Sequence, residues 1–264
     1  MKEIKKAGKT RYVVMSVCSV LVFLVIWYLC TDVFKLLPSK TLCSPVRVVL
    51  TFIDKLTNPN PDGATLLVHA WSSLKITLTG YIIGIVFGVI LGIAMAWYRG
   101  ADLFIRPIFD LIKPIPGVAW VPVLILMLGI GMASKVTVIA LASFVPVLLN
   151  TYSGIRQTKD VHIWVARTFG ATNWQMLCKI AIPTSLPYIM TGIRVALGAS
   201  WTTIVAAELI ASTQGLGFMI QQSRGIYRID IIIVGMLTIG LIGALLAVVI
   251  TAIEKKVVKG AKRS

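Results

Sequence analysis

From Ile231 to Ile253 the chain carries no ionisable side chain. A helix over that stretch reaches about 34 Å, more than the roughly 30 Å hydrocarbon core of a bilayer. Backbone in lipid must satisfy its own hydrogen bonds, so such a run dictates a spanning helix. Apolar stretches near 12–30, 74–97, 118–132, 136–152 and 188–207 repeat the pattern, the third of them short. With 231–253 they predict an all-α integral membrane protein of six transmembrane helices. Composition agrees: 57% of the 264 residues are hydrophobic and 14% charged, and the mean hydropathy of +0.89 exceeds that of soluble domains. The expected organisation is a short N-terminal segment, 1–11, followed by one transmembrane domain, 12–264.

A formal charge of +16 raises nucleic acid as a partner. Lys and Arg sit instead at the ends of apolar runs, with no aromatic-interleaved patch, so the charge reads as topology and nucleic acid is excluded. Six spans put both termini on one side, and both are basic: Lys2, Lys5, Lys6, Lys9 and Arg11 at one end, Lys255, Lys256, Lys259, Lys262 and Arg263 at the other. The positive-inside rule predicts both to be cytoplasmic. The same topology puts 98–117 and 153–187 inside, with Arg99, Arg106, Lys113, Arg156, Lys159, Arg167 and Lys179. The outer segments are leaner for their length, holding Lys35, Lys40, Arg47 and Lys55, then Lys135, Arg224 and Arg228.

A basic start followed by an apolar run also describes a secretory leader. The run 12–30 is longer than a leader's core, and Trp27, Tyr28 and Leu29 are too bulky for a cleavage site before Cys30. It is expected to span. Cys18, Cys30, Cys43 and Cys178 fall in no metal-ligand spacing, and His69 and His162, expected in loops, have no metal or triad partner at recognisable spacing. No metal site is expected. Gly8-Lys9-Thr10 matches the end of a phosphate loop, but the place of its first glycine holds Glu3 and no strand precedes it.

Gly80, Gly84, Gly88 and Gly92 recur at a spacing of four, which places them on one helix face and predicts a tight helix–helix seam. In "KPIPGVAWVP", 113–122, Pro114, Pro116 and Pro122 each remove a backbone donor. Two readings stand equal there: a bend at the inner mouth of a pathway, or a cytoplasmic loop entering an ordinary span.

The segment 153–187 behaves differently from its flanks. Val161, Trp164, Val165, Thr168 and Phe169 recur at helical spacing, Gly170-Ala171 interrupts, and Trp174, Leu177, Cys178 and Ala181 follow. Thr172-Asn173-Trp174-Gln175 reads as a capping box opening a second short helix, which Pro183 is expected to stop. Such helices bury their apolar faces in the headgroup region, against the bundle, or in a groove on a partner. Few basic residues and a glycine hinge favour a knob that docks on a soluble partner.

The quoted residues "ARTFGATNWQMLCKIAIPTSLP", 166–187, resemble the cytoplasmic loop of binding-protein-dependent ABC importer permeases, written EAA, three residues, G, nine residues, I, one residue, LP. Gly170, Ile180, Ile182 and Pro183 fall at matching places; Trp164 and Val165 stand where the Glu and first Ala would be, leaving Ala166, and Ile182 replaces Leu. The likeness extends over nearly the whole chain and narrows to the branch serving sulfonates, taurine and nitrate, carried by "PIPGVAWVPVLILMLGIGMASK" (114–135), "FVPVLLNTYSGIR" (144–156) and "LPYIMTGIRVALGASWTTIVAAELIASTQGLGFMI" (186–220). Within it "VAAELIASTQGLGFMI" is most similar to taurine permeases. The resemblance implies a type I importer bundle in a bacterial inner (plasma) membrane. A second permease copy, ABC ATPase subunits and an extracytoplasmic substrate-binding protein would be its partners. ATP and Mg would sit on the ATPase, leaving this chain without cofactor or catalysis of its own. Docking on the ATPase would fall to Trp164, Ala166, Phe169, Gly170, Ala171, Trp174, Ile180 and Pro183. The cargo expected is taurine or an alkanesulfonate, with nitrate or another small anion as the alternative.

Five residues of the fifth span are candidates for the pathway. Arg194 and Glu208 are costly in lipid unless paired or facing water, and the helix between them, about 21 Å, is too long for them to pair. Arg194 would balance an anionic cargo if it faces the pathway, or hold a structural partner if not. Trp201, Thr202 and Thr203 either line a pore or bond within the bundle. A secondary transporter would be expected to show intramembrane carboxylates or repeated broken helices, and a membrane enzyme clustered His, Asp or Glu; neither pattern is evident.

Overall fold

The computed structural model describes residues 2–36 and 41–261. Lys40, Lys262 and Arg263, which entered the charge argument, lie outside the described residues. All the elements among the described residues are helical. Helix α1 (Lys2–Tyr28) runs on through a π turn, Leu29–Val33; α2 is Pro45–Lys55, α3 Leu66–Trp97 and α4 Arg99–Ile112. A 3₁₀ turn, Gly117–Trp120, leads into α5 (Val121–Leu128) and α6 (Met132–Arg156). Then come α7 (Asp160–Thr168), α8 (Asn173–Met176), a π turn Leu177–Ala181, α9 (Ile182–Ile210), α10 (Leu216–Gly225) and α11 (Ile229–Ala261).

The chain divides into two compact units. The first comprises Met1–Leu67 with Met219–Leu237. Asp230 is its polar hub, receiving Arg228 at 2.9 Å and the Thr51 hydroxyl at 3.0 Å, with Arg47 at 3.7 Å. The Trp27 indole N–H donates to the Cys43 carbonyl at 3.1 Å, tying α1 to the segment that enters α2. Ser44 caps α2. Lys55, buried, holds Asp62 and donates to the Ala64 carbonyl at 2.8 Å, folding the following loop back on the helix.

The second unit comprises Val68–Phe218 with Thr238–Ser264. Its seam is the glycine face of α3. A Cβ at Gly80 would meet Ile139 at 2.7 Å, at Gly88 Val147 at 2.9 Å and at Gly92 Thr151 at 2.8 Å, while one at Gly84 would collide with Ser143. Glycine numbers and partner numbers rise together, so α3 and α6 run parallel with backbones in close approach. Against α9, α6 runs antiparallel: Gly154 faces Ser185 and Tyr188, Gly192 faces Asn150, and Lys135 reaches Ser212. Helix α11 is antiparallel to α9, with Arg194 on Glu254 and the Trp201 N–H on the Ile239 carbonyl. One end of this unit therefore gathers Trp97, Arg156, the 157–181 segment and Glu254; the other gathers Ser73, Lys135 and 211–217.

Parallel α3 and α6 oblige residues 98–131 to carry the chain back from one end to the other. They do so in two pieces, Arg99–Ile112 and Gly117–Leu128, bent by 85°. The stretch 118–132, expected as a third span, is thus not a spanning helix by itself. Helix α5 is about 12 Å long, begun late by Pro114 and Pro116 and ended at Gly129. Five helices of the described residues are long and apolar enough to cross a membrane, Val14–Val33, Leu66–Trp97, Met132–Arg156, Asn173–Ile210 and Ile229–Val258, and the bent pair, counted as one span, brings the candidates to six.

Other expectations also change. Residues 98–117 are mostly helix α4, not loop, pinned by Asp102, which pairs with Arg106 at 3.0 Å and Arg156 at 3.6 Å. Pro183 stops nothing: it sits in the first turn of α9, where its missing N–H is not needed because the π turn ahead supplies the register change. His69 lies not in a loop but fully buried in α3, because that helix begins earlier than its apolar run.

Candidate functional site

The segment between α6 and α9 is built from two local rules. Helix α7 ends in a Schellman motif: Gly170 adopts φ +79°, its N–H donates to the Arg167 carbonyl at 3.0 Å, and the Ala171 N–H donates to the Ala166 carbonyl at 3.0 Å. No atom lies within 4 Å of a Cβ built at Gly170, so the requirement there is backbone conformation, not space. Helix α8 opens with the capping box, the Thr172 hydroxyl accepting from the Gln175 N–H at 3.3 Å while the Gln175 side chain accepts from the Thr172 N–H at 2.8 Å.

These rules set a bent arm with two faces. Met176, Leu177 and Ala181 are buried, the latter two packing with Ala96 and Ile155 at the ends of α3 and α6. On the other face Trp164 is 64% exposed, Phe169 86% and Trp174 66%. Ala166 and Ala171 are half-buried, as are Ile180 and Pro183. Helix α8, which carries Trp174, passes through the π turn into α9 without a break, whereas Trp164 and Phe169 lie ahead of the Gly170 turn.

The five residues singled out on α9 do not converge. Arg194, half-exposed, pairs with Glu254 at 2.8 Å. Trp201 is buried against Gly243, and both Arg194 and Trp201 line a groove between α9 and α11. Thr202 is exposed and bonds back to the Gly198 carbonyl at 3.1 Å; Thr203 is buried. Glu208, 1% exposed, accepts from Ser73 at 2.8 Å and from the Gly217 N–H at 2.9 Å, and Ser73 accepts from the Leu216 N–H at 2.9 Å. The His69 Nδ1 accepts from the Gly215 N–H at 3.1 Å. Gly215, at φ +130°, leaves room for the Glu208 carboxylate where a Cβ would stand. Glu208 and its partners thus fasten the 211–217 connection over the end of α3. Sequence reasoning placed His69 in a loop and missed Ser73 and Lys75, the last although it is the one charge inside the second apolar stretch.

The described residues thus form an all-helical bundle with a close glycine seam, a bent helix pair and an amphipathic arm. Residues 84–263 match the binding-protein-dependent transport system inner membrane component. The chain belongs to that family. It is an ABC importer permease of the sulfonate, taurine and nitrate branch. The taurine transport system permease protein TauC of Escherichia coli (strain K12) is 34% identical over 94% of this chain and 90% of that protein. The putative aliphatic sulfonates transport permease protein SsuC of Bacillus subtilis (strain 168) is 30% identical over 97% and 91%. The nitrate import permease protein NrtB of Synechocystis sp. is 31% identical over 93% and 90%. Among solved structures, an inward-facing MetNI methionine ABC transporter chain shares the fold with a TM-score of 0.61 at 19% identity, covering 74% of the permease and 95% of that chain. The permease is a multi-pass inner-membrane protein.

Proposed function

We propose that the permease forms, with a second copy of itself, the translocation pathway of an ATP-driven importer for a small anionic sulfonate, taurine or an alkanesulfonate. The observation that carries this reading is the aromatic face of Trp164, Phe169 and Trp174, left exposed on an arm anchored to α9. Exposed aromatics on a helical arm fit a partner's groove, and here the partner is an ABC ATPase subunit that holds ATP and Mg. This chain binds no cofactor. The end of the second unit with the arm also carries Arg99, Arg106, Arg156, Lys159, Lys179 and Lys255, which by the positive-inside rule supports a cytoplasmic location for it. An extracytoplasmic binding protein delivers cargo at the other end. Similarity to relatives named for taurine and for aliphatic sulfonates supports the cargo; similarity to a nitrate import permease makes nitrate the second reading.

Reconstitution with its co-purifying ATPase and binding protein tests this. Internal ATP is expected to drive uptake of radiolabelled taurine or ethanesulfonate into proteoliposomes. Uptake of nitrate alone would install the second reading, and a chain that purifies without an ATPase and moves solute unaided would sink the importer reading.

A further inference from the structure

Most charges embedded in the second unit are spoken for. Arg194 has Glu254, Asp102 has Arg106 and Arg156, and Glu208 is satisfied by Ser73 and the Gly217 amide. Two lysines are different: the ion pairs of the described residues include neither Lys75 nor Lys135. Both line one cavity of ≈ 350 Å³ at the end of the unit opposite the aromatic arm, together with Trp71, Ser72, Thr213 and Gln214, and no acidic side chain lines it. That volume falls in the range of small-ligand sites, about 300–1,000 Å³.

Lys135 is 9% exposed, and an ammonium taken that far from water needs compensation. Its Nζ donates to the Ser212 hydroxyl at 2.9 Å, and Ser212 in turn donates to the Gln214 carbonyl at 2.6 Å, so the amine is aimed by a fixed chain of bonds while two of its three donors remain. Glu208 attracts it only through space. Lys75, exposed, lies on the α3 wall of the same cavity. Two ammonium groups, two hydroxyls and an indole with no carboxylate make a receptor for an oxyanion carrying a short apolar tail.

We infer that this cavity is the permease's own binding site for the oxyanion group of its cargo, sulfonate or nitrate, occupied at the outer end of the bundle before passage. The inference rests on the importer reading for its direction. The site favours the anionic end, because no carboxylate lines it to pair with the ammonium of taurine and its two lysines repel that charge. Ethanesulfonate therefore binds at least as tightly as taurine. A phospholipid phosphate offers the same chemistry and is the competing source of an occupant.

The test is scintillation-proximity binding of radiolabelled ethanesulfonate to the purified chain in neutral phosphatidylcholine nanodiscs. Saturable binding is expected, displaced by nitrate and taurine and unaffected by dimethyl sulfone, which has the shape without the charge. Lys75→Gln with Lys135→Gln is expected to weaken it at least about tenfold, the size of one lost charge-assisted bond, and Lys75→Arg to retain it. If the double variant does not fold, Lys75→Gln alone, at an exposed position, carries the comparison. Unsaturable binding, an unchanged affinity in the variant, displacement by dimethyl sulfone, or taurine binding far tighter than ethanesulfonate would each overturn the site. Displacement by short-chain phosphatidylglycerol at lower concentration than by ethanesulfonate itself would assign it to lipid. Binding without ATP-driven uptake would sink the importer reading and leave the site; uptake undiminished in the variant would do the reverse.

Discussion

Ser143 on α6 places its hydroxyl where a Cβ on Gly84 of α3 would have to stand, and the Ala140 carbonyl lies 2.6 Å from that same point. Rotating the serine relieves only half of the clash, because the other half is backbone. Gly84→Leu is therefore expected to force α3 and α6 apart and destabilise the solubilised protein by about 1–3 kcal/mol or more. Gly100→Ala, at a position open on all sides, is the control and should leave the melting temperature near that of the parent. Equal thermal melting of the two variants would remove the seam from any account of stability.

The glycines were legible because a spacing of four on one apolar run has one geometric meaning. The capping box was legible for the same reason, since Thr172 and Gln175 encode a local bond. What sequence could not supply was long-range. Pro183 reads as a stop until the π turn ahead of it is seen, and 118–132 reads as a span because composition does not encode an 85° bend. Lys75 and Lys135 stand sixty residues apart and reveal a common cavity only once α3 and α6 are laid side by side.

Gly170 separates conformation from packing. With nothing near its missing Cβ and φ at +79°, the position should accept Asn, which enters the left-handed region readily, and resist Val, which pays about 1–2 kcal/mol there. Hydrogen exchange at the Ala171 amide reports the cap directly: protection should survive Gly170→Asn and fall in Gly170→Val. ATP-dependent uptake is expected to follow the same order, and a Val variant that transports normally would separate the cap from coupling.

Arg194 and Glu254 both have partly exposed side chains, so their pair is expected to contribute only about 0.2–1 kcal/mol. A double-mutant cycle of Arg194→Gln and Glu254→Gln, read by thermal melting, should give a coupling within that range. If uptake falls in Arg194→Gln and is not restored by adding Glu254→Gln, the guanidinium serves the cargo as well as the pair.

Burial, and then the negative charge of Asp230, push the Cys43 thiol above its ordinary value, so less thiolate is present at any given pH. Only the thiolate attacks a maleimide. In a variant that keeps Cys43 as its sole cysteine, labelling at pH 7 should be slower than in detergent-denatured protein and should accelerate as pH rises. Equal rates would mean that the segment before α2 opens readily.

Ser73 does two jobs with one oxygen, donating to Glu208 and accepting from the Leu216 N–H. Ser73→Ala removes both, leaving a buried carboxylate with one fewer donor and a buried amide with no acceptor there. Unmet buried groups cost about 1–3 kcal/mol each, so the loss should exceed that of an ordinary serine truncation. Ser223→Ala, another buried serine but outside this knot, gives the comparison. Because Glu208 and Ser73 fasten 211–217 over the end of α3, Ser73→Ala should also raise protease sensitivity within 211–217 while leaving cleavage in the 157–181 arm unchanged. Cleavage rising equally at both ends would indicate general unfolding, and no rise at either would mean that the connection is held by its other bonds, Gly215 to His69 and Lys135 to Ser212, without need of the serine.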